Sequence, residues 1–288
     1  MTAIAEGART ALGLTTTKPH YFFFRHKWPV RVCHWINAVC LAILLMSGLN
    51  IFNAHPALYF GSSSNFEHPA LALNAMTDDN GNVVRGTAWI AGKPVNTTGL
   101  LGASRVDGEL TARGFPSWAT LPGPQWLAMA RQWHFAFAWL LVINGLLFFS
   151  YGFISRHFTR DLAPTRSDIK HLPREIVDHA KLNFPKGEEA RHYNGLQKLT
   201  YCLVLFVLAP LIVATGLTMS PTMDAAFPIL PWIFGGRQTA RTIHFICAFS
   251  FLGFFIVHIA MVVLSGTWNN LRSMITGWYV IRKGGDHD

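Results

Sequence analysis

Apolar residues in this chain are gathered into four long stretches almost free of charge, at about 32–52, 132–155, 199–223 and 242–268. Each reaches the roughly 20 residues that a helix needs to cross a hydrocarbon layer, so the pattern predicts four transmembrane helices. Pro210 falls inside the third stretch; prolines inside a membrane are tolerated where neighbours satisfy the freed carbonyl, and a kink is expected there. The polar intervals predict the rest. Residues 53–131 form a connection too long for a simple turn. Within it Asp79-Asn80-Gly81-Asn82, flanked by Val83-Val84 and Trp89-Ile90, signals a small β-hairpin. In the connector 156–198, Ile169, Leu172, Ile176 and Val177 recur at near-helical spacing among charges, which fits a helix on the membrane surface or a plain connector equally. The expected fold is an all-α membrane protein: a four-transmembrane-helix bundle over 31–270, carrying a small β-hairpin-containing insertion, between tails at 1–30 and 271–288.

Composition agrees, with 51% hydrophobic and only 14% charged residues, the balance of a chain that lives in lipid. The formal net charge of +9 does not point to nucleic acid, because the basic residues flank the apolar runs and form no basic domain. They instead set the topology. Arg156, Arg160, Arg166, Lys170, Arg174, Lys181, Lys186, Arg191 and Lys198 crowd the second connection, while Arg25, Lys27, Arg31 and Arg272, Arg282, Lys283 flank the outer ends. By the positive-inside rule that connection and both termini are cytoplasmic and the insertion 53–131 is extracytoplasmic. The first eighteen residues lack the apolar core of a cleaved signal peptide and are expected to form an unstructured tail.

Cys33, Cys40, Cys202 and Cys247 all lie in or at the edge of apolar runs, without paired spacing, so neither a disulfide framework nor a zinc site is implied. No Cys-x-x-Cys-His occurs, so any haem would be held non-covalently, as haem b. No phosphate loop, nucleophile elbow or zinc-protease pattern is present, which leaves hydrolases and nucleotide-driven mechanisms without support.

Four of the thirteen histidines, His34, His134, His244 and His258, lie inside or at the edges of the spans, where ionisable residues are functional candidates. His244 and His258 share the fourth span fourteen residues apart, about 1,400° of rotation and about 21 Å of rise, which puts them on nearly one face at two depths. With both termini inside, His34 and His258 match at the cytoplasmic side, and His134 and His244 match at the opposite side. Each pair can ligate one iron, and two imidazoles per iron leave no open position for substrate, which suits electron transfer. Arg31, Arg131 and Arg241 stand three residues before His34, His134 and His244, on the same helical face, where guanidinium groups can pair with haem propionates. Ordinary interfacial anchoring would place arginines there too. Gly48, fourteen residues after His34, offers a gap in which a flat macrocycle or another helix can approach.

The opening Trp28-Pro29-Val30-Arg31-Val32-Cys33-His34-Trp35, His134 at the start of span two and the His244/His258 pair resemble the bacterial diheme cytochrome b subunits of respiratory nickel-iron hydrogenases, formate dehydrogenases and thiosulfate reductases. The resemblance covers all four spans. It implies two haem b groups with the pairing reached above, and a quinone pocket beside the cytoplasmic-side haem. The segment entering span three contributes to that pocket in the family, and Arg191-His192-Tyr193-Asn194-Gly195-Leu196-Gln197-Lys198 looks like it. Asn194 and Gln197 are then the expected quinone contacts, with His192 or Lys198 exchanging protons; polar capping of span three is the competing reading. The long insertion resembles family versions that accompany periplasmic molybdopterin oxidoreductases. The expected function is electron transfer between a periplasmic redox subunit, of molybdopterin or hydrogenase type, and membrane quinone. Two alternatives remain open: a stand-alone haem oxidoreductase acting on a small molecule such as superoxide, and a transporter whose histidines relay protons or bind a metal.

Overall fold

The computed structural model describes residues 20–181 and 193–282. They run in the order strand β1 (His20–Phe24), helix α1 (Trp28–Asn53), β2 (Ala57–Leu58), β3 (Leu71–Thr77), β4 (Val83–Ile90), β5 (Lys93–Asn96), β6 (Ala103–Val106), β7 (Glu109–Ala112) and helix α2 (Leu127–Ile154). Helix α3 (Arg166–Ala180), the third long helix α4 (Gly195–Thr218), the short α5 (Pro221–Ala226) and α6 (Ile229–Ile233), α7 (Arg237–Leu264), α8 (Thr267–Thr276) and β8 (Trp278–Arg282) follow.

Helices α1, α2, α4 and α7 are each long and apolar enough to cross a membrane. Each begins four or five residues before its charge-free run, because Arg31, Arg131, Lys198 and Arg241 are carried in the first turns and not outside them. Pro210, which cannot donate to the carbonyl a turn earlier, is preceded by a π-helical turn at Val204–Leu208, the local widening that absorbs such a break.

The described residues divide into two compact units, 32–155 with 202–256, and 20–31 with 156–181, 193–201 and 257–282. In the first, the insertion is a folded cap. Strands β2-β3-β4-β5 form an antiparallel four-stranded sheet and β6-β7 a separate hairpin. The expected turn between β3 and β4 forms because the Asp78 carboxylate accepts the N–H groups of Asn80 (2.9 Å) and Asn82 (2.8 Å) while Gly81 adopts positive φ. Leu58, Leu73, Ala88 and Phe115 bury against Phe52 at the end of α1, with Phe245 of α7 beside them.

Polar side chains tie the cap to α1. The Asn53 amide accepts the Phe115 N–H (2.6 Å) and donates to its carbonyl (3.2 Å), and Asn50 donates to the carbonyls of Pro122 and Pro124. Arg113, 6% exposed, donates to the Phe115 and Gly123 carbonyls and to the Thr120 hydroxyl. Deeper among the spans, buried Asn144 of α2 donates to the Cys33 carbonyl (3.0 Å) and to Asn37 (2.7 Å) of α1. Exposed apolar side chains such as Leu146, Leu147, Phe255 and Val257 line the outer faces of the long helices.

In the second unit β1 pairs antiparallel with β8, His20 opposite Arg282 through Phe24 opposite Trp278. The strand is reached from α8 through Gly277 at φ +90°, where a Cβ would lie 2.6 Å from the Phe24 ring, so only glycine fits. Helix α3 starts with a capping box: Thr165 accepts the Asp168 N–H while the Asp168 carboxylate accepts the Thr165 N–H.

Candidate functional site

Two helix pairs of the larger unit build matching halves of one site. On α1, the Ser47 hydroxyl spends its single proton on the Ile43 carbonyl one turn back (2.6 Å), so towards the His134 Nδ1, 3.1 Å away, it can only accept. The Leu44 carbonyl also hydrogen-bonds His134. On α4, Thr215 donates to the Leu211 carbonyl (2.7 Å) and faces the His244 Nδ1 at 3.1 Å, with the Ile212 carbonyl 3.0 Å from the same nitrogen. A carbonyl accepts and never donates, so in both rings Nδ1 carries the proton. That tautomer leaves Nε2, with its lone pair, as the ligating nitrogen.

The next residue on each helix is a glycine. A Cβ at Gly48 would stand 3.3 Å from His134 Cε1, and one at Gly216 would stand 3.3 Å from His244 Cε1. The open space beside Gly48 is therefore taken by an imidazole, and Gly216 does the same on the partner helix. Each ring is held against a helix backbone by one hydroxyl, one carbonyl and one missing side chain.

So held, the rings of His134 and His244 lie with centroids 6.3 Å apart and planes at 60°. Metal–imidazole bonds of about 2.0 Å and a centroid-to-nitrogen distance of about 1.1 Å put two rings on opposite sides of one metal about 6.2 Å apart. The donor set therefore fits a bis-imidazole iron, and the two histidines are the site residues that the fold brings together most clearly. His34 lies on α1 with its ring edge-on to Trp35, centroids 5.3 Å apart, and His258 lies on α7 in the smaller unit; both are half-buried.

The arginines diverge. Arg241 donates to the His55 carbonyl and sits over the Phe52 ring at 5.4 Å, Arg31 donates to the Ile275 carbonyl, and exposed Arg131 lies over Phe135 at 5.6 Å. Sequence reading missed His55, whose ring stacks on Tyr59 at 5.6 Å and whose Nε2 is buried without a hydrogen-bond partner. Burial, then the charge of Arg241, holds the His55 imidazole below its usual pKa.

At the start of α4, Asn194 and Gln197 cap the helix reciprocally: Asn194 Oδ1 accepts the Gln197 N–H (2.8 Å) and Gln197 Oε1 accepts the Asn194 N–H (3.3 Å). The Lys198 ammonium donates to Asp168 (2.9 Å). His192 and the tail at 1–19 lie outside the described residues. Tyr193 sits beside Tyr201 (5.4 Å) and under the Arg25 guanidinium (5.6 Å), and burial followed by the neighbouring Tyr201 pushes its hydroxyl pKa upward.

The serine, threonine and second glycine escaped sequence reading because a hydroxyl one turn above a carbonyl looks like ordinary helix-internal bonding. The signal was present nonetheless: Ser47-Gly48-Leu49 recurs as Thr215-Gly216-Leu217, and Arg131-x-x-His134-Phe135 recurs as Arg241-x-x-His244-Phe245.

Residues 25–78 and 99–277 match the family model described as prokaryotic cytochrome b561; the gap falls on β4 and β5 of the cap. The chain is also 29% identical, over 82% of its own length and 88% of the relative's, to an Azospira oryzae protein that is named, provisionally, as protein-methionine-sulfoxide reductase subunit YedZ1. No solved structure matches the chain.

Proposed function

The chain belongs to the prokaryotic cytochrome b561 family, and from that premise we propose that it is a diheme electron-transfer subunit linking a periplasmic oxidoreductase to membrane quinone. The observation that carries the reading is the 6.3 Å approach of the His134 and His244 rings with both Nδ1 atoms anchored. Haem b supplies a one-electron carrier that cycles between ferric and ferrous iron.

The residues around it do the rest. Ser47 and Leu44, and Thr215 and Ile212, fix ring orientation and tautomer, while the apolar helices keep water from the metal position. His34 and His258, matched in depth along their spans, would hold a second haem on the cytoplasmic side. Arg31, Arg131 and Arg241 are candidate propionate partners. The cytoplasmic start of α4 is the proposed quinone region, with Asn194, Gln197, His192 and Lys198 as candidates. Amides already engaged in capping can still offer their second lone pair or N–H to a carbonyl.

The folded insertion is the proposed docking region for the partner subunit, and the naming of the Azospira oryzae relative as a reductase subunit supports electrons leaving quinol for that partner. A reduced-minus-oxidised spectrum with haem counted per chain tests the proposal. Two b-type haems in the parent, falling to one in His134→Ala and to one in His258→Ala, are expected. A parent that is colourless when purified from haem-replete cells overturns it.

A further inference from the structure

Helix α3 is amphipathic in an inverted sense. At 100° per residue, Asp168, Leu172, Glu175 and His179 share one face, and this mostly polar face is the one docked on protein. The Asp168 carboxylate takes the Lys198 ammonium at 2.9 Å, the Glu175 carboxylate accepts the Leu196 N–H at 2.8 Å, and the Asn194 amide lies 3.4 Å from His179 Nε2. Gly195 permits the contact, since a Cβ there would come within 2.9 Å of Asp168. Burial works to raise the Asp168 pKa, but hydrogen bonds from the Thr165 N–H, the Lys198 ammonium and the Thr165 hydroxyl outweigh it, and the carboxyl titrates below its usual range.

About a third of a turn away lie Ile169, Pro173, Ile176 and Val177. This apolar stripe is left open, with Ile169 64%, Ile176 49% and Val177 48% exposed. On its far side Arg166, Lys170 and Arg174 follow one another at four-residue spacing, joined by Lys181, all exposed. Of this row only Arg174 has a carboxylate neighbour among the described residues, Asp178 at 3.8 Å. An amphipathic helix on a soluble protein docks through its apolar stripe and shows its charges to water; here the arrangement is reversed. The contacts also fix its level, because residues 194–198 are the first turn of a helix long and apolar enough to span a bilayer. Helix α3 is thus tethered at the mouth of a span, with an apolar stripe and an adjoining row of cations.

We propose that α3 lies in the membrane–water boundary, its Ile169/Pro173/Ile176 stripe seated among acyl chains and its Arg166/Lys170/Arg174 row binding the phosphates of anionic phospholipid. Cations of this kind bind an anionic surface within a Debye length of it, and the stripe supplies the apolar contact that interfacial helices require.

The test uses the full-length holoprotein in nanodiscs of phosphatidylcholine alone or with phosphatidylglycerol. An environment-sensitive fluorophore is attached at Ile176→Cys on the stripe or at Ser167→Cys on the water-facing side, and signal from the native cysteines is subtracted with the parent. The expected result is at least threefold stronger quenching of the Ile176 label by a shallow lipid-borne quencher than of the Ser167 label, and the reverse with an aqueous quencher. The triple variant Arg166→Gln, Lys170→Gln, Arg174→Gln should retain less than half the parent's phosphatidylglycerol after purification, with unchanged haem content. A water-accessible Ile176 label overturns the proposal. So does a label shielded from both quenchers, which would mean that protein covers the stripe, or equal phosphatidylglycerol retention by parent and triple variant.

Discussion

Removing the Ser47 hydroxyl tests whether the helix backbones tune the metal site. In Ser47→Ala the His134 ring keeps its Leu44 carbonyl and loses the 3.1 Å contact to Oγ. A neutral hydrogen bond contributes about 0.5–1.5 kcal/mol, and loss of one of two acceptors at a shared proton lies at the lower end, about 0.5 kcal/mol. An acceptor at Nδ1–H makes the imidazole more basic and favours the more highly charged ferric iron, so its loss raises the midpoint potential. Because 59 mV corresponds to a tenfold change for one electron, the expected rise is about 20 mV for the haem that His134 and His244 are proposed to hold. Thr215→Val, which removes the 3.1 Å contact to His244, should shift the same haem in the same direction, and the double variant by about 40 mV if the halves act independently. Optical redox titration at the parent's haem content is the assay. A midpoint unchanged or lowered in both single variants, at full haem occupancy, would refute the reasoning.

Other parts of the structure make equally concrete expectations. Gly216→Ala places a methyl group 3.3 Å from His244 Cε1; displacing the ring costs about 1–3 kcal/mol and should appear as partial loss of one haem, measured as haem per chain. Arg113→Met removes the three guanidinium hydrogen bonds to the Phe115 and Gly123 carbonyls and the Thr120 hydroxyl, leaving the longer ones from Asn53 and Thr120, and should destabilise the cap by about 1–3 kcal/mol, visible as early proteolysis between 113 and 125. The depressed pKa of His55 means that the unfolded chain binds its proton more readily. Stability linked to this residue is therefore present above the unfolded value near 6.5 and is lost as pH falls below it towards the folded value. Between pH 7.5 and 5.5, His55→Gln should lose less thermal stability than the parent, as followed by differential scanning fluorimetry.

The four spans were legible because the physics of lipid is blunt: runs free of charge mark helices to within a turn, and the errors fall at Arg31, Arg131, Lys198 and Arg241, which helices carry in their first turns. The β3–β4 hairpin was legible because Asp78 to Asn82 contains the side chains and the glycine that the turn demands. The expected pairing of His134 with His244 rested on depth alone, and the two rings lie 6.3 Å apart. What stayed hidden depends on partners far apart in the chain. Nothing local announces that Phe22 lies opposite Val280, or that Arg113 serves backbone carbonyls and no acid. At the start of α4 the same ambiguity persists, since an amide that caps a helix and an amide that greets a ligand are written with the same letters.

The matched Ser47-Gly48 and Thr215-Gly216 clamps carry an implication for ancestry. Leu44 to Asn50 aligns with Ile212 to Thr218, and Arg131 to Phe135 with Arg241 to Phe245, which is what duplication of a two-helix unit leaves behind. An ancestor of half this length could have assembled the His134/His244 type of site only as a homodimer, with the metal on the two-fold axis and each copy giving one histidine and one clamp. Carried along the same alignments, His34 falls on Cys202 and His258 on Phe148, so these two histidines have no counterpart in the other half. The cap, too, is confined to one half: a folded insertion separates α1 from α2, whereas only α5 and α6 separate α4 from α7.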